Sequence, residues 1–178
     1  MHSKLLTVVT DGWQISGITT ANSGAPFTPS FSTTNAEDIT GSTNEGARIN
    51  VIGNPYANIP TNPSLPNGKL AFNPAAFAVP AVGTIGNAGG GAGILYGPGW
   101  LNFDASLSRS IPIVGEKRQL KLRIEAFNVF NHVEFSGVAS AFAFNPTLSG
   151  SPNTTANTGQ YTSDRGPRIL SLELRFQF

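Results

Sequence analysis

A histidine stands two residues before a glutamate in NVFNHVEF, residues 128–135. A carboxylate at that spacing can orient an imidazole as a base or share a metal with it. His2, beside the amino terminus, is the other histidine. Asp104 and Asp164 are acids that would extend the pair into a water-activating site. His132 would be the base there, and Glu134 or Asp164 the orienting carboxylate. In one version a calcium ion would be held by loop carboxylates and carbonyls. Such a site would suit hydrolysis of an ester or a lactone. A covalent route is disfavoured, because the chain has no cysteine and no G-x-S-x-G or S-x-x-K pattern. Neither HExxH nor another ligand-spaced set occurs, so no metal is assigned and no other cofactor is expected. The structural alternative makes His132 a turn residue at a strand end and Asp104 a lining residue on a polar strand face.

The elements that must carry these groups are strands. Charged residues make up 12% of the chain, about half the roughly 25% of soluble domains, while 20 glycines and 13 prolines accompany many Ser, Thr and Asn residues. That composition suits β structure with long loops. Net charge is +1, and the short group Lys117, Arg118, Lys121 and Arg123 is too small a patch for a nucleic-acid partner. No run approaches the ~18 consecutive apolar residues of a membrane-spanning helix. Met1–Thr10 lacks the length and cleavage site of a secretory signal, so an exported protein would carry its leader outside these residues.

Four segments alternate with the two-residue period of a strand, near residues 12–21, 101–111, 118–126 and 168–178. In the last, Leu170, Leu172, Leu174, Phe176 and Phe178 oppose Ile169, Ser171, Glu173, Arg175 and Gln177. In Leu101–Ile111 only Arg109 interrupts the apolar row, and PIVGEK (residues 112–117) is short enough to close a hairpin onto Arg118–Ala126. The last three strands run for about nine to eleven residues, the length of a tilted strand crossing a bilayer. With one face apolar and the other polar, they fit a transmembrane barrel. An antiparallel sheet with one solvated face reads the same way. The fold class is therefore all-β, with antiparallel strands of barrel type in a single domain, residues 1–178. Long Gly/Pro/Asn-rich loops are expected over 28–98 and 131–166, where clusters such as NPYANIPTNPSLPNG block helices and central strands. GNAGGGAGILYGPG, residues 86–99, has neither the spacing nor the following helix of a phosphate loop and reads as a flexible turn.

GWQISGITTANSGAPFTP, ARINVIGNP, FNPAAFAVPAVGTIGNAG, YGPGWLNFDASLSRSIPI, LKLRIEAFNVFNHVEF and RILSLELRFQF follow one another along nearly the whole chain. In that order they resemble the carboxyl end of TonB-dependent receptor-like outer-membrane proteins, in the subgroup with an amino-terminal carboxypeptidase-regulatory-like domain. The resemblance implies the last strands of a large barrel in the bacterial outer membrane, with lipid outside. It also implies a terminal aromatic, Phe178, read by the barrel-assembly machinery, and loops that meet an extracellular small ligand during binding or uptake. Arg48, Asn50, Tyr96 and Trp100 are the loop residues expected to anchor that ligand, since Arg and aromatics dominate recognition. Four strands are too few to close such a barrel. The chain is thus expected to be a segment of a larger barrel, to pair its edges in a homo-oligomer, or to fold alone as a soluble β protein, where the hydrolytic reading belongs.

Overall fold

The structure, a computed structural model, describes residues 11–33, 38–39, 47–89, 93–114, 118–145 and 153–178. Its strands in chain order are β1 (Trp13–Asn22), β2 (Pro26–Phe27), β3 (Ser30–Thr33), β4 (Asn50–Val51), β5 (Phe77–Ala78), β6 (Leu95–Tyr96), β7 (Trp100–Val114), β8 (Arg118–Phe127), β9 (Phe135–Val138), β10 (Ala141–Phe144), β11 (Tyr161–Asp164) and β12 (Ile169–Gln177). Among the described residues there is no α-helix, only a 3₁₀ turn at Pro74–Ala76. The chain divides into two units: residues 1–22, 101–134 and 166–178 form the first, and 23–100 and 135–165 the second.

The first unit is a four-stranded sheet in the order β1-β7-β8-β12. β8 pairs antiparallel with both β7 and β12, and the register follows the alternation in the sequence. Leu107, Ile124 and Leu172 lie in one row and Ile111, Leu120 and Phe176 in another, all on one face. Ser106, Glu125 and Ser171 form a row on the opposite face, as do Ser108, Arg123 and Glu173. A one-residue slip would move every leucine to the polar face, so pairing and patterning fix each other. The apolar face is left uncovered: Leu170, Leu172, Leu174 and Phe176 are each more than half exposed. A sheet folded for water alone would bury such a row against a core.

Arg109, the one break in the apolar row, places its guanidinium 5.4 Å from the Trp13 ring on β1. A cation held over an indole face gains about 0.5–2 kcal/mol, and more where water is excluded. The Ser16 and Ser106 hydroxyls meet at 2.8 Å on the polar face. β7 also runs past Ile111, where the alternation was expected to stop. Its continuation crosses Pro112 with a register irregularity between Pro112 and Val114. Proline removes a ladder donor and is accommodated at a bulge. The hairpin turn itself, residues 115–117, lies outside the described residues.

The second unit gives the long loops expected over 28–98 and 131–166 short strands and a buried interior. Ile49, Phe72, Ala76, Phe77, Ala88, Leu95, Phe142 and Phe144 form a buried cluster there. The rings of Phe72, Phe77 and Phe144 stand 6.2, 5.2 and 5.7 Å from that of Phe142. Short strand pairs frame the cluster: β2 with β6, β4 with β5, β9 with β11, and β3 with β10. The β3–β10 pair is parallel, joining segments more than a hundred residues apart. Prolines and asparagines shorten the strands but do not prevent burial, because side chains take over the backbone bonds. Asn153 accepts from the amides of Ala143 and Thr155 and donates to the Thr155 carbonyl and the Thr158 hydroxyl. Gly86, at φ 83°, comes so close to the Arg48 carbonyl that any Cβ would overlap it.

Candidate functional site

The His132–Glu134 pair sits at the corner where β8 ends. Asn128 and Asn131 adopt φ of 53° and 50°, a left-handed conformation that asparagine tolerates better than most residues. The Asn128 amide group spans the turn, donating to the His132 carbonyl at 3.0 Å and accepting from the His132 amide at 3.3 Å. Asp104 on β7 accepts from the Asn128 amide at 3.0 Å and from the Asn102 side chain at 2.8 Å. Asn131 accepts from the Arg168 amide at 2.9 Å, which ties the corner to the entry of β12. The Phe130 ring meets Phe103 edge to face.

Within this corner the His132 Nε2 contacts the Glu134 Oε1. The Glu134 side chain is 5% exposed and that of His132 40%. Both carboxylate oxygens of Glu134 also lie 3.1 Å from the amide of Leu101, at the start of β7. The carboxylate therefore orients the imidazole and binds a strand end together. The first task is what a general base needs; the second is what a strand corner needs. Asp164 belongs to the second unit, on β11 in register with Phe135. Among the described residues no group of three His, Asp or Glu could hold a metal ion.

Asn128→Ala is expected to lower stability by about 2–3 kcal/mol, from two lost hydrogen bonds and the loss of asparagine's better tolerance of the left-handed region. Asn128→Gly removes the same bonds without the conformational strain and should be milder by about 1 kcal/mol. Urea unfolding of both variants checks this; equal losses would eliminate the conformational part.

The four expected ligand residues all lie in the second unit. Arg48 is exposed and lines a recess of about 250 Å³ with Thr28, Pro29 and Phe31. Asn50 is half-buried, and its side-chain oxygen accepts from the Asn87 amide at 3.0 Å. Tyr96 is 61% exposed, while its amide donates to the Tyr56 hydroxyl at 2.8 Å. Trp100 is covered on one side by the Arg165 guanidinium, 4.5 Å from the ring. Tyr56 and Arg165 escaped the sequence reading because only the fold brings them to Tyr96 and Trp100. A recess of about 510 Å³ in this unit lies between Ile52, Leu70, Phe77 and Thr158.

The sheet carries a second feature with chemistry, a groove of about 410 Å³ on its polar face. Lys121, Arg123, Arg175, Ser108 and Ser110 line it, with Glu173 as the one carboxylate among the described lining residues. Strand parity alone assigns Lys121 and Arg123 to that face. The juxtaposition with Arg175 depends on the β8–β12 register, which spans some fifty residues of chain.

No curated protein and no solved structure gives a significant match to the chain. A family model does, the outer membrane beta barrel domain, over residues 1–171. Long antiparallel strands, a bare apolar face, an opposing polar face and a match over nearly the whole length agree: the chain belongs to the outer membrane beta barrel domain family.

Proposed function

We propose that the chain forms the carboxyl-terminal strands of a TonB-dependent receptor-like barrel, whose second unit binds an extracellular small ligand for uptake. The observation that carries this reading is where the long connections leave the sheet. Residues 23–99 and 128–168 both depart from the end marked by Asn22, Trp100, Phe127 and Ile169. At the opposite end only three residues separate Val114 from Arg118. Outer-membrane barrels keep short turns on the periplasmic side and long loops outside. The two long connections share one buried cluster, since Phe72 and Phe77 come from the first and Phe142 and Phe144 from the second. Successive outer loops that fold together give a preorganised surface, and preorganisation lowers the ordering cost of binding. Phe178, at the end of the short turn, is 92% exposed.

An epitope inserted in the Asn62–Gly68 turn, where backbone bonds join Asn62, Leu65 and Gly68, tests the sidedness. It should be labelled on intact cells; labelling only after permeabilisation would reverse the orientation. Uptake is tested by comparing spent media of parent and deletion strains with and without a protonophore. A compound removed only by energised parent cells is expected, and identical media would refute the uptake reading. No further observation favours the hydrolytic alternative.

A further inference from the structure

We infer that the polar face of the sheet holds an anion site, in which Lys121 and Arg175 together bind the oxyanion of a phosphate or carboxylate group, with the Ser110 hydroxyl beside them. The motive is an uncompensated juxtaposition. Arg175 on β12 is the direct register partner of Lys121 on β8. Opposed side chains on adjacent antiparallel strands have Cβ atoms about 4.5–5.5 Å apart, and like charges placed there destabilise the pair. The neighbouring charges do not relieve it. Arg123 makes a 2.6 Å ion pair with Glu125 and faces Glu173 across the strands. Among the described residues neither Lys121 nor Arg175 takes part in an ion pair.

An oxyanion between the two cations turns this repulsion into two charge-assisted bonds, the strongest class of hydrogen bond in proteins. Ser110 pairs with Lys121 from the other side, so a third donor stands in the same row. The groove is open enough to admit an organic anion and is lined by neutral hydroxyls that add donors without charge. The inference rests on the barrel reading only in placing this face on the lumen, at the end of the short turn. It does not depend on energised uptake.

The test is thermal unfolding of the full-length protein in detergent at constant ionic strength, with chloride replaced by inorganic phosphate in one arm and by acetate in another. The parent protein should gain stability with saturation in phosphate. A gain in acetate as well extends the site to carboxylates. Lys121→Gln and Arg175→Gln should each raise the half-saturating phosphate concentration about tenfold, the loss of one charged hydrogen bond. Both should also unfold at higher temperature than the parent in chloride, because the like-charge opposition is gone. Arg175→Glu should abolish the phosphate response while stabilising the anion-free protein. A parent response no larger than in chloride overturns the site, and so does a response retained by Arg175→Glu or a half-saturating concentration unchanged in Lys121→Gln. Epitope labelling and medium depletion report on the receptor reading separately, so a failure of either leaves this result unaffected.

Discussion

Leu172→Arg is expected to destabilise the protein by about 2–4 kcal/mol in lipid, the cost of an arginine on the lipid face near the bilayer midplane. Leu172 lies near the middle of β12, in register with Ile124, on the face that also carries Leu107, Leu120 and Phe176. It is 71% exposed. In water a substitution at so open a position is worth within about 0.5 kcal/mol, so the solvent of this face decides the outcome. Ser171→Arg is the control. Its neighbour across the strands is Glu125, on the polar face, and an arginine there should cost little or be favourable. Guanidinium unfolding of the protein in vesicles, or its heat-dependent gel mobility, measures both. Equal behaviour of the two variants would mean that the leucine face does not meet lipid.

The aromatics frame the same face. Trp13, Phe176 and Phe178 lie towards the end of the short turn, with the rings of Phe176 and Phe178 6.0 Å apart. Phe103 and Phe130 pack together towards the other end, 5.1 Å apart. Aromatic residues flank the apolar band of a barrel wall at both interfaces, and Trp13 is the ring here with the polar N–H that favours such a position. Arg109 fits the arrangement, since its cation is held by the Trp13 ring instead of standing bare among leucines.

The sheet was legible in the sequence because strand parity is a local signal that repeats over nine or more residues. The faces of Leu101–Ile111, Arg118–Ala126 and Arg168–Phe178 could be assigned residue by residue, and the structure pairs them with those faces in common. The second unit was not legible, for the opposite reason. Its strands are two to four residues long, too short for a period to show. The parallel match of Ser30–Thr33 with Ala141–Phe144 leaves no trace in either segment alone. Prolines and glycines read as loop, whereas the information lay in the aromatics among them, Phe72, Phe77, Phe142 and Phe144. The corner was half legible: NVFNHVEF announced a His–carboxylate pair, but the tie from Glu134 to the Leu101 amide needed the fold.

Phe142→Ala is expected to cost about 3–5 kcal/mol and to release the second unit. Phe142 is 1% exposed and its ring contacts three others, so truncation removes a large apolar group and leaves a cavity that stiff neighbouring rings cannot fill. Every residue of the buried cluster belongs to this unit, and none comes from the long strands. Amide exchange should therefore quicken over β3, β4, β5 and β10 while β7, β8 and β12 keep their protection. Phe144→Leu, which retains much of the volume, should cost less than half as much. Under the proposed receptor function, ligand uptake would then fall in proportion to the unfolded fraction of the second unit, with the amount of protein in the membrane unchanged. Equal loss of protection in both units would show instead that the sheet depends on the aromatic cluster. A unit with its own hydrophobic core can change its contacts without disturbing the long strands, and this variant measures that independence.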